Sequence, residues 1–131
     1  MRKNRNPQTI HPPLGAYVHQ VELSGNIRWL TLSGQVGMNP SKELPKSSEE
    51  QFKEALANIK RNLEAGGMAV QDLTKLVIYL VEPIDFERRT QILNEFLQGA
   101  EVCMTLLYVK GLATPKILVE IEAWAACEVE D

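Results

Sequence analysis

At 131 residues the chain fits one domain and can bury about two-thirds of its unfolded surface, so no disulfide or metal is needed to hold it. Hydrophobic residues make up 44% and charged residues 24%, an ordinary globular balance, and no apolar run approaches the roughly 18 residues of a membrane span. A net charge of −3, no basic stripe and only 6% aromatics weigh against a nucleic-acid surface.

The opening residues, Met1-Arg2-Lys3-Asn4-Arg5-Asn6, are basic but lead into Pro7, Pro12 and Pro13, without the apolar h-region of a secretory signal. Residues 1–14 therefore read as a solvated tail, and a cytoplasmic protein is the expectation. Tyr17 to Leu23, Ser24-Gly25-Asn26 and Ile27 to Ser33 give strand, turn and strand, the pattern of a hairpin. Pro40 to Pro45 is a polar loop. Ser47 with Glu50 and Ser48 with Gln51 then offer overlapping capping boxes. Behind them Phe52, Ala55, Leu56, Ile59 and Leu63 recur at helical spacing. Lys60 and Arg61 sit toward the end of that helix, where cations suit the macrodipole, and Gly66-Gly67 stops it.

Leu73 to Val81 is a nearly continuous apolar, β-branched run and reads as a central strand covered on both faces. Pro83 and Asp85 open a second helix carrying Phe86, Ile92, Leu93, Phe96 and Leu97, closed by Gly99. Val102 to Val109 and Ile117 to Cys127 are the remaining strands. The order β-β-α-β-α-β-β predicts an α+β domain over residues 15–127, with a short tail at 128–131 and the helices on one face of a mixed sheet. In the last strand Ile117, Val119, Ile121, Ala123 and Ala125 share one face, and Leu118, Glu120, Glu122 and Trp124 the other. Two helices cover a single face, so the second would be a large exposed patch in a monomer. The loops are short, and association of copies is expected rather than a loop folded over that face.

Cys103 and Cys127 fall on strands, where a free cysteine of a soluble chain is a small hydrophobe, and nothing basic nearby in sequence would lower a thiol pKa. His11 and His19 have no partner at metal-ligand spacing, so no metal is expected.

Several short marks fall in a distinctive order. They are Gly15-Ala16-Tyr17, Ser33-Gly34-Gln35, Gln51 and Asn58, Gly66-Gly67, Asp85-Phe86, and Val119-Glu120-Ile121-Glu122-Ala123. In that order and spacing, from about Gly15 to Ala125, the chain resembles the reactive intermediate deaminase (Rid, or YjgF-like) family, once labelled translation inhibitors or endoribonucleases. Each mark alone is weak; their succession is specific. The resemblance implies a chorismate-mutase-like fold assembled as a homotrimer, with ligand clefts between subunits and no cofactor. It also implies hydrolysis of reactive enamines and imines to 2-oxo acids and ammonia. In that family an arginine in a Pro-Ala-Arg-Ser stretch grips the substrate carboxylate with both forks of its guanidinium, and a glutamate on the last strand helps place the attacking water.

Carried onto this chain, the glutamate falls on Glu120, the cleft-lining aromatic on Tyr17 and a residue at the cleft edge on Ser33. The arginine stretch falls on Val102-Cys103-Met104-Thr105, with Met104 at the arginine, and the asparagine common in the second helix is replaced by Thr90. No arginine follows Arg89. Glu120 reads either as a water-orienting group or as a carboxylate paired with a neighbour's cation. Tyr17 reads as packing or contact, and Ser33 and Thr105 as backbone-satisfying hydroxyls with no visible activating base. Cys103 and Met104 make a softer, more apolar cleft. The expectations are a small-ligand Rid protein with weak or lost activity on acidic imines, a non-catalytic ligand-binding trimer, or, least favoured by the charge, an RNA-directed endoribonuclease or translation inhibitor.

Overall fold

The structure, a computed structural model, describes residues 1–130. Its strands are β1 (Arg2–Arg5), β2 (Gln20–Leu23), β3 (Ile27–Thr31), β4 (Gln35–Val36), β5 (Leu73–Leu80), β6 (Cys103–Tyr108) and β7 (Val119–Glu128), with helices α1 (Ser48–Ala65) and α2 (Phe86–Leu97). β3, β7, β5 and β6 lie side by side in that order, and β4 also pairs with β7. β5 and β6 are parallel, joined by α2 as crossover, and β7 runs antiparallel to β3, β4 and β5. The α+β architecture and the mixed sheet are as the pattern predicts.

Burial follows the two-residue period of the strands. Leu76, Ile78 and Leu80 on β5 and Val119, Ile121, Ala123 and Ala125 on β7 are buried under the helices, where they meet Phe52, Leu56, Ile59 and Leu63 of α1. Each of those four helix side chains contributes about 1.5–3 kcal/mol on burial. The other face carries Lys75, Val77, Tyr79, Glu120, Glu122 and Trp124, none of them buried, together with Trp29, which is 64% exposed.

Local polar groups define where the elements end. Ser47 is the N-cap of α1, its Oγ accepting from the Glu50 amide, and Glu49 and Glu50 suit the dipole of the first turn. The second capping box does not form: Ser48 Oγ donates instead to Glu82 Oε1 at 2.8 Å. Gln51 is buried, and its amide donates to the carbonyls of Pro45 and Lys116 while its Oε1 accepts from the Leu118 amide. One side chain thus ties the loop before α1 to the start of β7. Asn58 likewise donates to the carbonyls of Val36 and Met38 at 2.9 Å, fixing β4 on α1. Lys60 and Arg61 lie too early to serve the last turn. Arg28 reaches over from β3 and donates to the carbonyls of Gly66 and Gly67 at 2.8 and 2.9 Å, and Gly67 takes φ +70°.

Two readings of the N-terminal region are corrected. Residues 20–23 and 27–31 do not form a hairpin: β2 pairs with β1, and β3 with β7. The turn at Gly25 (φ +103°) therefore sends consecutive strands into different sheets. Nor is the basic N-terminus a solvated tail. Arg2 donates to the carbonyls of Gln71, Leu73 and Glu101, at 2.9, 2.8 and 2.5 Å, and Arg5 pairs with Glu22. Partial burial pushes the Arg2 guanidinium down from its ordinary value, with Asp72 opposing that shift. At the other end β7 continues to Glu128, one residue into the segment read as tail.

Arg2→Ala removes the donor to all three carbonyls, and charged hydrogen bonds contribute about 1.5–3 kcal/mol each in favourable cases. With half-exposed groups discounted, a loss of about 1–3 kcal/mol in urea unfolding is expected. A variant as stable as wild type would return residues 1–5 to the status of a tail.

Candidate functional site

Three of the residues picked from sequence come together. Tyr17, Thr90 and Met104 line one pocket of about 220 Å³ between the Leu14–Tyr17 loop, α2 and the edge strand β6. Helical spacing explains one wall, because Phe86, Arg89, Thr90 and Leu93 stand at i, i+3, i+4 and i+7 of α2. The N-cap Asp85, whose Oδ2 accepts from the Arg88 amide at 3.2 Å, sets where that face begins. Met104 and Leu106 form the floor. They lie in register with the buried Leu76 and Ile78 and pack against the core, so they share the helix side of the sheet. The loop is folded by Tyr17 itself: its hydroxyl accepts from the Leu14 amide at 3.0 Å, and its ring meets His19 edge-on at 5.7 Å.

The other predicted residues lie elsewhere. Glu120 sits between the buried Val119 and Ile121 and so faces away from the helices, the side opposite Met104. Its carboxylate lies against Gly34, next to Ser33, whose carbonyl accepts from Gln35 Nε2 at 2.9 Å. Thr105 Oγ1 accepts from Lys75 Nζ at 2.8 Å. Cys103 is partly buried, with its thiol 3.6 Å from the His19 carbonyl. On the same outer face as Glu120, Tyr79 donates to Glu122, and that hydrogen bond pushes the Tyr79 hydroxyl above its ordinary value. Among the described residues no group of three His, Cys, Asp or Glu is placed to hold a metal.

Arg89 is the pocket residue that the motif carry-over passes by. Its Nη1 lies 3.3 Å from the Tyr108 hydroxyl and its Cζ is 5.4 Å from the centre of the Phe86 ring. The helical spacing from Phe86 was the available signal. Phe86, assigned from sequence to the apolar stripe of the helix, is 63% exposed at the mouth of the pocket instead. A larger hollow of about 720 Å³ lies between Met1, Leu23 and the end of β7, but gathers none of the candidate residues.

A mixed sheet covered by two helices on one face is shared with solved proteins of one family. The model of the endoribonuclease L-PSP family matches residues 8–127, and the chain belongs to this family, that of the Rid proteins. It is 32% identical to a RutC family protein of Pyrococcus horikoshii over 116 residues, covering 86% of this chain and 88% of that one. It is 31% identical to the 2-iminobutanoate/2-iminopropanoate deaminase of Mus musculus over 114 residues, 86% and 82% of the two chains. A crystal structure of a Rid-family protein of unknown function from Yersinia pestis superposes with a TM-score of 0.83 at 33% identity, covering 96% and 98%. Among the described residues no helix is long and apolar enough to cross a membrane.

Two glycines separate the site from the scaffold. A Cβ on Gly37 would clash with the backbone of Gln51 in α1, lying 2.6 Å from its Cα, where nothing can give. The atoms nearest a Cβ on Gly34 all belong to the Glu120 side chain, with its Cδ at 2.8 Å, and that flexible end can swing aside. Gly37→Ala is therefore expected to cost about 1–3 kcal/mol in thermal unfolding, and Gly34→Ala no more than about 0.5 kcal/mol. Equal losses would mean that Glu120 is locked into the scaffold.

Proposed function

We propose that this chain is a homotrimeric Rid protein that binds a small nitrogenous compound and hydrolyses it, an imine or enamine becoming an oxo compound and ammonia. The observation that carries this reading is the convergence of Tyr17, Thr90 and Met104 on one small apolar pocket. These are the positions at which the family resemblance puts its cleft aromatic, its helix asparagine and its strand arginine. Such a reaction needs no cofactor: water adds to the imine carbon, the C–N bond breaks, and the nitrogen leaves as ammonia. Glu120 is the group proposed to place that water. Within one chain Glu120 and Met104 occupy opposite faces of the sheet. The proposed site is therefore completed where a second copy brings its outer face to the pocket. The exposed Trp29 and the half-buried Val77 and Trp124 supply an apolar surface for that contact.

The second reading, a non-catalytic binder, is favoured by Met104 itself. A thioether offers no donor to a desolvated carboxylate, and an unpaired charge there costs several kcal/mol. The RNA-directed reading loses support: of the N-terminal cations that remained to it, Arg2 is engaged with backbone carbonyls and Arg5 with Glu22.

Size exclusion with light scattering is expected to return about three times the 14.7 kDa chain mass. A monomer at micromolar concentration would overturn the inter-subunit cleft. For the chemistry, turnover of short acidic imines such as 2-iminobutanoate should fall roughly 10²–10⁴-fold below that of arginine-bearing relatives, the equivalent of about 3–5 kcal/mol. Met104→Arg is expected to raise it, and adding Glu120→Gln to lower it again. Wild-type rates equal to those relatives would refute the role given to position 104; silence from both wild type and Met104→Arg would favour the binder.

A further inference from the structure

The pocket is mostly apolar and carries one charged side chain. Leu93, Met104 and Leu106 line it together with the exposed Phe86, and the exposed Tyr108 lies beside it, within reach of Arg89. Between them lies Arg89, half-buried, with its guanidinium over the Phe86 ring and one Nη on the Tyr108 hydroxyl. Its neighbour Arg88 is paired with Glu49 and Gln91, but among the described residues Arg89 has no carboxylate within ion-pair reach. A guanidinium held by a ring face and a single neutral acceptor keeps most of its five donors unspent. Next to an apolar floor it is a preformed seat for an anion, and its planar fork suits a carboxylate.

We propose that Arg89 is the anion-binding residue of this pocket, and that the ligand is a small carboxylate with a branched apolar body. The carboxylate sits on Arg89 at the mouth, with Tyr108 steadying the guanidinium, and the apolar body lies over Met104 and Leu106. The pocket then selects by length. On this proposal a ligand must span from Arg89 to the floor, which favours an acid of leucine-like size over one of only a few carbons. The proposal rests on the pocket being the ligand site, but it concerns binding alone and stands or falls separately from hydrolysis.

The test is calorimetric titration with 4-methyl-2-oxopentanoate, its methyl ester and 2-oxobutanoate, with imine turnover scored separately. Wild type is expected to bind 4-methyl-2-oxopentanoate roughly tenfold or more tighter than either of the others. Arg89→Gln should weaken the acid roughly ten- to hundredfold and leave the ester unchanged. Arg88→Gln should leave both as they are. Arg89→Lys, which keeps the charge but not the fork, should fall between wild type and Arg89→Gln, and it serves if the glutamine variant does not fold. Acid binding that survives loss of the guanidinium, equal losses in the Arg88 and Arg89 variants, an ester as tight as the acid, or no acid binding at millimolar concentration would each overturn the proposal. Binding as predicted without turnover of any imine would overturn the hydrolase reading and leave this one standing.

Discussion

A sheet covered by helices on one face only is the constraint from which the rest of this molecule follows. β7 embodies it. Its strict alternation sends Val119, Ile121, Ala123 and Ala125 into the core and Glu120, Glu122 and Trp124 to the opposite side. A slip of one residue in register would bury two carboxylates and expose the core set, so the placement of every group on the outer face is enforced by burial on the inner one. Because β7 is flanked by β3 and β4 on one side and β5 on the other, its register fixes theirs. Chemistry carried by a residue such as Glu120 is thus positioned by hydrophobic packing that it does not itself touch.

The same division separates scaffold polar groups from site polar groups. Gln51 and Asn58 are marks by which the family resemblance is recognised, yet both are spent on backbone carbonyls and amides. Their work is to hold the exit from β4, the loop before α1 and the start of β7 against α1. No buried side-chain polar atom among the described residues lacks a partner. The polar groups left with capacity to spare lie at the surface, on the outer face of the sheet and at the mouth of the pocket.

Much of this was legible in the sequence, and what was not has a common cause. The helix stripes, the last strand and the uncovered sheet face all follow from periodicity, which is a local property. The N-terminal strands did not. Tyr17–Leu23 and Ile27–Ser33 carry the local signature of a hairpin, but strand pairing is decided by which edges compete, and β1 and β7 took them. The basic charge of Arg2 suggested solvent, whereas its five donors suited three carbonyls contributed by distant segments. Of the site, the motif order found Tyr17, Thr90 and Met104, and strand alternation put Glu120 on the uncovered face; what it did not give is that Met104 lies on the opposite, helix side.

Arginine makes the last point, because a motif position and a chemical group are different things. β6 and β7 carry no guanidinium, and the strand position to which the family resemblance carries one is Met104. Yet side chains of α2 and β6 line the same space, and a long flexible stem lets a cation rooted on one element serve a pocket floored by another. Moving the charge from floor to mouth does not leave the pocket unchanged, however. On the proposal for Arg89 the ligand's anionic end would lie further out, the floor would become a surface for apolar contact, and the carboxylate proposed to place the water would have to meet the reacting carbon at a new depth. Whether a family site keeps its reaction after such an exchange depends on that depth, and so on how the outer face of one copy seats against the pocket of the next.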